Sequence, residues 1–131
     1  MGAITKYAKK ANVKLTANFN STEFDCPCDR CSETLIDLDH VKKLQKLRDD
    51  LNASIHINSA YRCLPHNTEV GGEPKSQHML GHATDIKVVG MTPDEVADAC
   101  EGFDGLGRYS TFTHVDSRGS KARWDFRTKG S

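Results

Sequence analysis

No stretch of this sequence comes near the ~20 consecutive apolar residues that a membrane-spanning helix needs, so membrane insertion is not expected. Net charge is also missing: 18 basic residues face 18 acidic ones. That balance excludes a nucleic-acid binder that relies on bulk positive charge. The first residues, MGAITKYAKKANVKL, carry no apolar core of a signal peptide. The expected site of synthesis is therefore the cytoplasm, and action beyond a membrane would need a separate route out. The Met-Gly start does not complete a myristoylation motif, because Lys6 stands where Ser or Thr is required. Internal repeats and low-complexity tracts are absent. So is an even set of cysteines: there are five, Cys26, Cys28, Cys31, Cys63 and Cys100. Without a secretion signal, an odd count favours reduced thiols or metal ligands over a disulfide framework.

What is present suits one domain of 131 residues with 37% hydrophobic and 27% charged residues. Leu38, Val41, Leu44, Leu47 and Leu51 recur at steps of three and four, which predicts a helix over 38–51. Asp37 suits its N-cap and Asn52 its stop. Alternation predicts a strand over 54–60, and ATDIKVV a second over 83–89, broken at Gly90. Thr92-Pro93-Asp94-Glu95 is a capping-box start for a helix reaching Cys100. Residues 62–76 read as a long loop, and 1–20 as a polar extension with one short helix. Extended segments are expected over 108–115 and 121–126, joined by a hairpin turn at 117–120. The sum is an α+β fold: a small, mostly antiparallel sheet with flanking helices. The expected division is an N-terminal extension (1–20), a main domain (21–127) and a C-terminal tail (128–131).

The chemistry concentrates in SQHMLGHATD, residues 76–85, with a further histidine in FTHVD, residues 112–116. His78, Asp85 and His114 supply two imidazoles and a carboxylate, a donor set suited to catalytic zinc with a fourth position left open. Zinc so held lowers the pKa of a bound water to about 7. Six histidines and 18 acids offer such triples in any chain, and a lone histidine on a strand is more often a hydrogen-bonded structural residue. Two local features favour the metal. Gly81 and Ala83 are small, so backbone can approach beside His78. Asp85 interrupts an apolar strand, where an inward carboxylate needs a partner.

This pattern, Ser-x-His-x-x-Gly-x-Ala-x-Asp followed by a later strand histidine, resembles the zinc D-alanyl-D-alanine carboxypeptidases, whose fold hedgehog signalling domains share. Asn58-Ser59-Ala60-Tyr61-Arg62 resembles the family's Ser-x-Tyr-Arg segment. His66-Asn67, Gly71-Gly72, Gly107-Arg108-Tyr109 and Ala122-Arg123-Trp124 are similar to its short bacteriophage and prophage branch. The likeness spans roughly residues 20–126. It implies that His78, Asp85 and His114 are zinc ligands, and that Arg62 holds a substrate carboxylate or carbonyl oxygen. It also implies that Tyr61 and Ser76 belong to the substrate site, although Ser76 has an equally good reading as a turn residue. The implied activity is a peptidase on peptidoglycan stem peptides, cutting D-Ala-D-Ala or L-Ala-D-Glu type bonds. A monomer is expected unless the chain is part of a virion. A phage lysin released through a holin, or a virion component, fits a chain with no export signal.

One position departs from the pattern. Relatives carry an acid three residues before the last histidine ligand, and here that residue is Thr111. Others carry a histidine two residues before it, and here that residue is Phe112. Asp116 is then the first choice for a general base, since it shares a strand face with His114. It could equally orient a ligand or pair with Arg118 or Arg123. His82 and Glu73 are weaker choices. The departure also supports a second reading, a non-catalytic zinc-binding or peptide-binding domain of a phage particle.

Cys26, Cys28 and Cys31, with Cys63 or His66, form a possible second, structural zinc site. Buried thiols or a disulfide across to Cys63 are the alternatives, and a redox or zinc module centred on these cysteines is a third functional reading. Cys100 reads as a small core residue. Trp124 and Tyr109 either line a groove or pack in the core. No metal role is assigned to His40 or His56.

Overall fold

The leucine stripe folds as expected. In the computed structural model, which describes residues 4–28, 31–71 and 76–126, helix α1 spans Leu38–Leu51. Asp37 caps it by accepting from the Asp39 and His40 amides, and Asn52 ends it in the left-handed region at φ 49°. Val41, Leu44 and Leu47 are buried from this helix. They meet Ile55, Ile86, Val88, Val96, Leu106 and Val115 in one apolar core, with Phe19, Phe24 and Phe103.

The other elements are β1 (Ile4–Ala8), β2 (Glu33–Asp37), β3 (Ile55–Ser59), α2 (Leu64–Glu69), β4 (Ala83–Val88), α3 (Pro93–Ala99), β5 (Gly105–Arg108), β6 (Thr113–Asp116) and β7 (Ala122–Asp125). Short 3-10 helices occupy Ser21–Phe24 and Gln77–Leu80. The main sheet has the order β3-β4-β6-β5-β7. Its pairs are antiparallel except β5 with β7, which is parallel. Helix α3 begins at Thr92 with the capping box expected from its sequence. The architecture is the α+β class, with a small and mostly antiparallel sheet.

Several local expectations are corrected. The extension 1–20 holds a strand rather than a helix: β1 pairs antiparallel with β2 in a separate two-stranded sheet. Its inward residues include only one large apolar group, Tyr7, so its alternation is weak. The 62–76 loop contains α2, whose six residues offer no apolar stripe and bury only Asn67. The segment 108–115 is not one strand. It divides between β5 and β6, and β7 returns to the far edge beside β5, so 117–120 is not a hairpin turn. Strand β5 has no counterpart among the expected elements, because glycines such as Gly105 and Gly107 are weak strand signals. Here they are strand residues that leave room for larger side chains on adjacent strands. Of the earlier expectations, the 128–131 tail, Glu73 and Gly72 lie outside the described residues.

Candidate metal centre

One row of residues crosses the main sheet in register: Ser59, Asp85, His114, Gly107 and Trp124. Partners opposite one another in a sheet project to the same face, so Asp85 and His114 arrive together because β4 and β6 pair. His78 comes from the 3-10 helix above them. Ser76 caps that helix by accepting from the His78 amide at 3.2 Å. Gly81 ends it at φ 84°, where an added Cβ would also collide with the Leu35 backbone. The Gly81 carbonyl accepts from the Asp37 amide at 2.9 Å, so the turn is fastened to β2.

The three side chains converge. His78 Nε2 lies 3.3 Å from Asp85 Oδ1, and His114 Nδ1 lies 3.0 Å from the same oxygen. One donor atom from each residue falls within 4.8 Å of the others. Each imidazole is held from behind. His78 Nδ1 bonds the Ala60 carbonyl at 2.7 Å, and His114 Nε2 bonds Asp116 Oδ2 at 2.7 Å. With the outer nitrogens as donors in these bonds, neutral imidazoles would offer the lone pairs of His78 Nε2 and His114 Nδ1 to a metal, whereas protonated ones donate from those atoms to Asp85. Two neutral imidazoles and one carboxylate, buried and convergent, fit zinc with an open fourth position.

The electrostatics describe the arrangement in which the inner nitrogens donate to Asp85. Burial raises the Asp85 carboxyl, but hydrogen bonds from His114 and His78 outweigh it and hold the group well below the usual carboxylate range. Asp116 follows the same pattern: burial is outweighed by His114 and Arg118. Burial lowers the His114 pKa, but its bonds to Asp116 and Asp85 raise it overall.

A cleft of about 560 Å³ opens over the three residues. Arg62 and Ser76 line one side, and Tyr109, Phe112, Trp124 and Phe126 form an aromatic wall. Tyr109 stacks on Phe112 with centroids 4.4 Å apart, and Trp124 Nε1 donates to the Tyr109 hydroxyl at 2.9 Å. Gly107 is what admits the indole, since a Cβ there would overlap it. Trp124 in turn lies 5.0 Å, centroid to centroid, from the His114 ring. The Arg62 guanidinium is 3.9 Å from Asp85 Oδ2 and donates to Asn67 Oδ1 at 3.2 Å. Its buried Nε has no hydrogen-bond partner among the described residues.

The remaining expected residues fall in different places. Asp116 is fully buried behind His114, and Arg118 donates to both of its carboxylate oxygens. Of the roles open to it, this geometry favours orienting His114. Arg123 instead pairs with Glu101. Tyr61 does not line the cleft. Burial, with the Cys31 and Cys63 thiols adding to it, raises its pKa. His82 is buried and does not itself line the cleft, but bonds the lining residue Gln77 through Nε2. His40 is an internal residue bonded to Ser117 and Thr84, His56 is exposed, and Cys100 is in the core. The sulfurs of Cys26, Cys28, Cys31 and Cys63 come together in a second cluster.

Sequence reasoning overlooked Phe112 and Phe126 as wall residues, and Asn67 as the support of Arg62. A usable signal for the wall was the crowding of four aromatics into residues 109–126 around the last histidine.

No curated protein sequence matches the chain. A sequence-family model described as Peptidase M15 matches residues 17–116, a span that contains all three convergent residues.

Proposed function

The chain belongs to the peptidase M15 family, and from that premise we propose that it is a zinc metallopeptidase cutting the stem peptides of bacterial peptidoglycan. The observation that carries the reading is the convergence of His78, Asp85 and His114 on the floor of an open cleft beside an arginine. Zinc bound there would supply Lewis acidity at the scissile carbonyl and acidify a water molecule.

The chain's own residues do the rest. Ala60 and Asp116 fix the two imidazoles in the tautomers that ligation requires. Arg62, steadied by Asn67, presents a planar donor at the cleft. That group suits a peptide carboxylate or the charge that develops on the carbonyl oxygen. The aromatic wall offers apolar surface and excludes water along one side of the peptide. Asp85 is the one carboxylate among the described residues that line the cleft. Asp116 serves as a positioning residue through its bond to His114. The bond cut is of the D-Ala-D-Ala or L-Ala-D-Glu type, and the protein acts at the cell wall, reached by phage-type release or on a virion.

The test is incubation of the zinc-loaded protein with peptidoglycan and soluble muropeptides, with products read by mass spectrometry. A fragment that is lost on chelation and in His78→Ala supports the reading, and its mass identifies the bond. No product across several wall chemistries, from a protein that has bound its zinc, would sink it. That outcome favours the non-catalytic peptide-binding domain, which the single carboxylate of the cleft lining and Thr111 would then explain.

A further inference from the structure

We propose that Cys26, Cys28, Cys31 and Cys63 bind a second zinc ion, a structural one, which fastens the segment carrying Arg62 to the N-terminal part of the domain. This goes beyond the peptidase reading and does not depend on it.

The geometry of the sulfurs carries the inference. Cys28 lies 3.4 Å from Cys31 and 3.5 Å from Cys63, and Cys26 lies 3.7 Å from Cys63, sulfur to sulfur. All four fall within 4.8 Å of one another. A disulfide holds its sulfurs at about 2.05 Å, so these distances are not those of a covalent pair, and none of the five cysteines is disulfide-bonded. Zn–S bonds of about 2.3 Å in a tetrahedron put the sulfurs about 3.8 Å apart, close to what is observed. Four cysteines meeting from segments 37 residues apart at the extremes is a closed donor set with no place left for water, the pattern of structural rather than catalytic zinc.

Charge and support fit as well. Four thiolates around a divalent ion leave two negative charges. The Lys9 ammonium from the end of β1 sits 3.5 Å from the Cys31 sulfur, 3.9 Å from that of Cys28, and in hydrogen-bond contact with the Cys28 carbonyl. The loop is braced on both flanks. Asp25 accepts from the Lys10 amide and from Thr34, and the Phe24 carbonyl accepts from the Tyr61 amide at 3.1 Å.

The consequence reaches the cleft through Cys63. This residue follows Arg62, caps α2, and accepts the Asn67 amide at 2.9 Å through its carbonyl. Asn67 in turn holds the Arg62 guanidinium. A metal at the four sulfurs therefore fixes both ends of the arm that presents Arg62.

Purified under reductant, the wild-type chain should carry two zinc ions by elemental analysis and native mass spectrometry. His78→Ala should keep one, and Cys63→Ser should lose one and melt at a lower temperature. Cobalt exchange gives a reading that needs no cysteine variant to fold. Thiolate-to-cobalt charge-transfer bands should appear in wild type and persist in His78→Ala, since the His/Asp site has no sulfur donor. Absence of those bands would overturn the proposal, as would a single zinc that vanishes in His78→Ala. So would two disulfides in protein prepared anaerobically under reductant. Failure of the peptidase assay leaves each of these readouts untouched.

Discussion

Asp116 grips His114 through Nε2 at 2.7 Å and so turns Nδ1 toward Asp85, 3.0 Å away. The pair sits in β6 two residues apart, on one face of the strand. Asp116→Asn keeps the shape and an acceptor oxygen but removes the charge that stiffens the imidazole and raises its basicity. Zinc affinity of the His/Asp site should fall about 10- to 100-fold, measured by competition with a chromophoric chelator. A general base would behave otherwise: zinc affinity would be unchanged while turnover collapsed.

Arg62 should separate from the metal ligands in the same way. Its guanidinium stands 3.9 Å from Asp85 but is held by Asn67. Arg62→Lys keeps a positive charge and gives up the planar fork. We expect unchanged zinc content and a loss in kcat/KM of about 10²- to 10³-fold, the size seen when one oxyanion donor is removed. Equal activity in the lysine variant would show that charge alone is used there.

Gly107 is a packing requirement of the aromatic wall. A methyl at this position overlaps the Trp124 indole, and one at Gly105 overlaps the Asp116 carboxylate. Gly107→Ala should cost about 1–3 kcal/mol, as overpacking does, read by urea denaturation. The Trp124 fluorescence should shift as the ring leaves Tyr109 and His114. An unshifted spectrum with full stability would mean that the wall can yield at no cost.

These glycines also show where the sequence was legible and where it was not. Helix α1 was readable because its stripe repeats over 14 residues and both caps are ordinary. The centre was readable because Ser76, Gly81 and Asp85 each answer a local demand: a cap, a left-handed turn, a carboxylate on an apolar strand. Strand β5 was hidden because Gly105 and Gly107 serve neighbours across the sheet rather than their own backbone. β7 escaped its hairpin for a related reason. Pairing with β5 rather than β6 is a long-range choice that no local pattern encodes. The cysteine cluster was partly legible: Cys26, Cys28 and Cys31 are close in sequence, and the fold selects Cys63 rather than His66 as the fourth member.

His40 should make the domain lose stability in mild acid. It lies fully buried on α1, bonded to Ser117 Oγ at 2.8 Å and Thr84 Oγ1 at 3.0 Å. Burial pushes its pKa from the ordinary 6.5 down to about 3. Between those values the unfolded chain takes up a proton that the folded one refuses. Its contribution is therefore complete above about pH 6.5 and is lost as pH falls toward 3, at up to about 1.4 kcal/mol per pH unit. His82, also lowered by burial, acts with the same sign, and His114, raised overall, acts with the opposite one. Asp85 and Asp116, both held low, give up their contributions only below the ordinary carboxylate range near 3.8. The difference between wild type and His40→Gln isolates the one group, because glutamine can still bond Thr84 or Ser117 but does not titrate. Urea denaturation from pH 6.5 to 4.5 should show wild type losing stability more steeply than the variant. Parallel lines would mean that His40 is protonated inside the fold, and that Ser117 and Thr84 accept from an imidazolium.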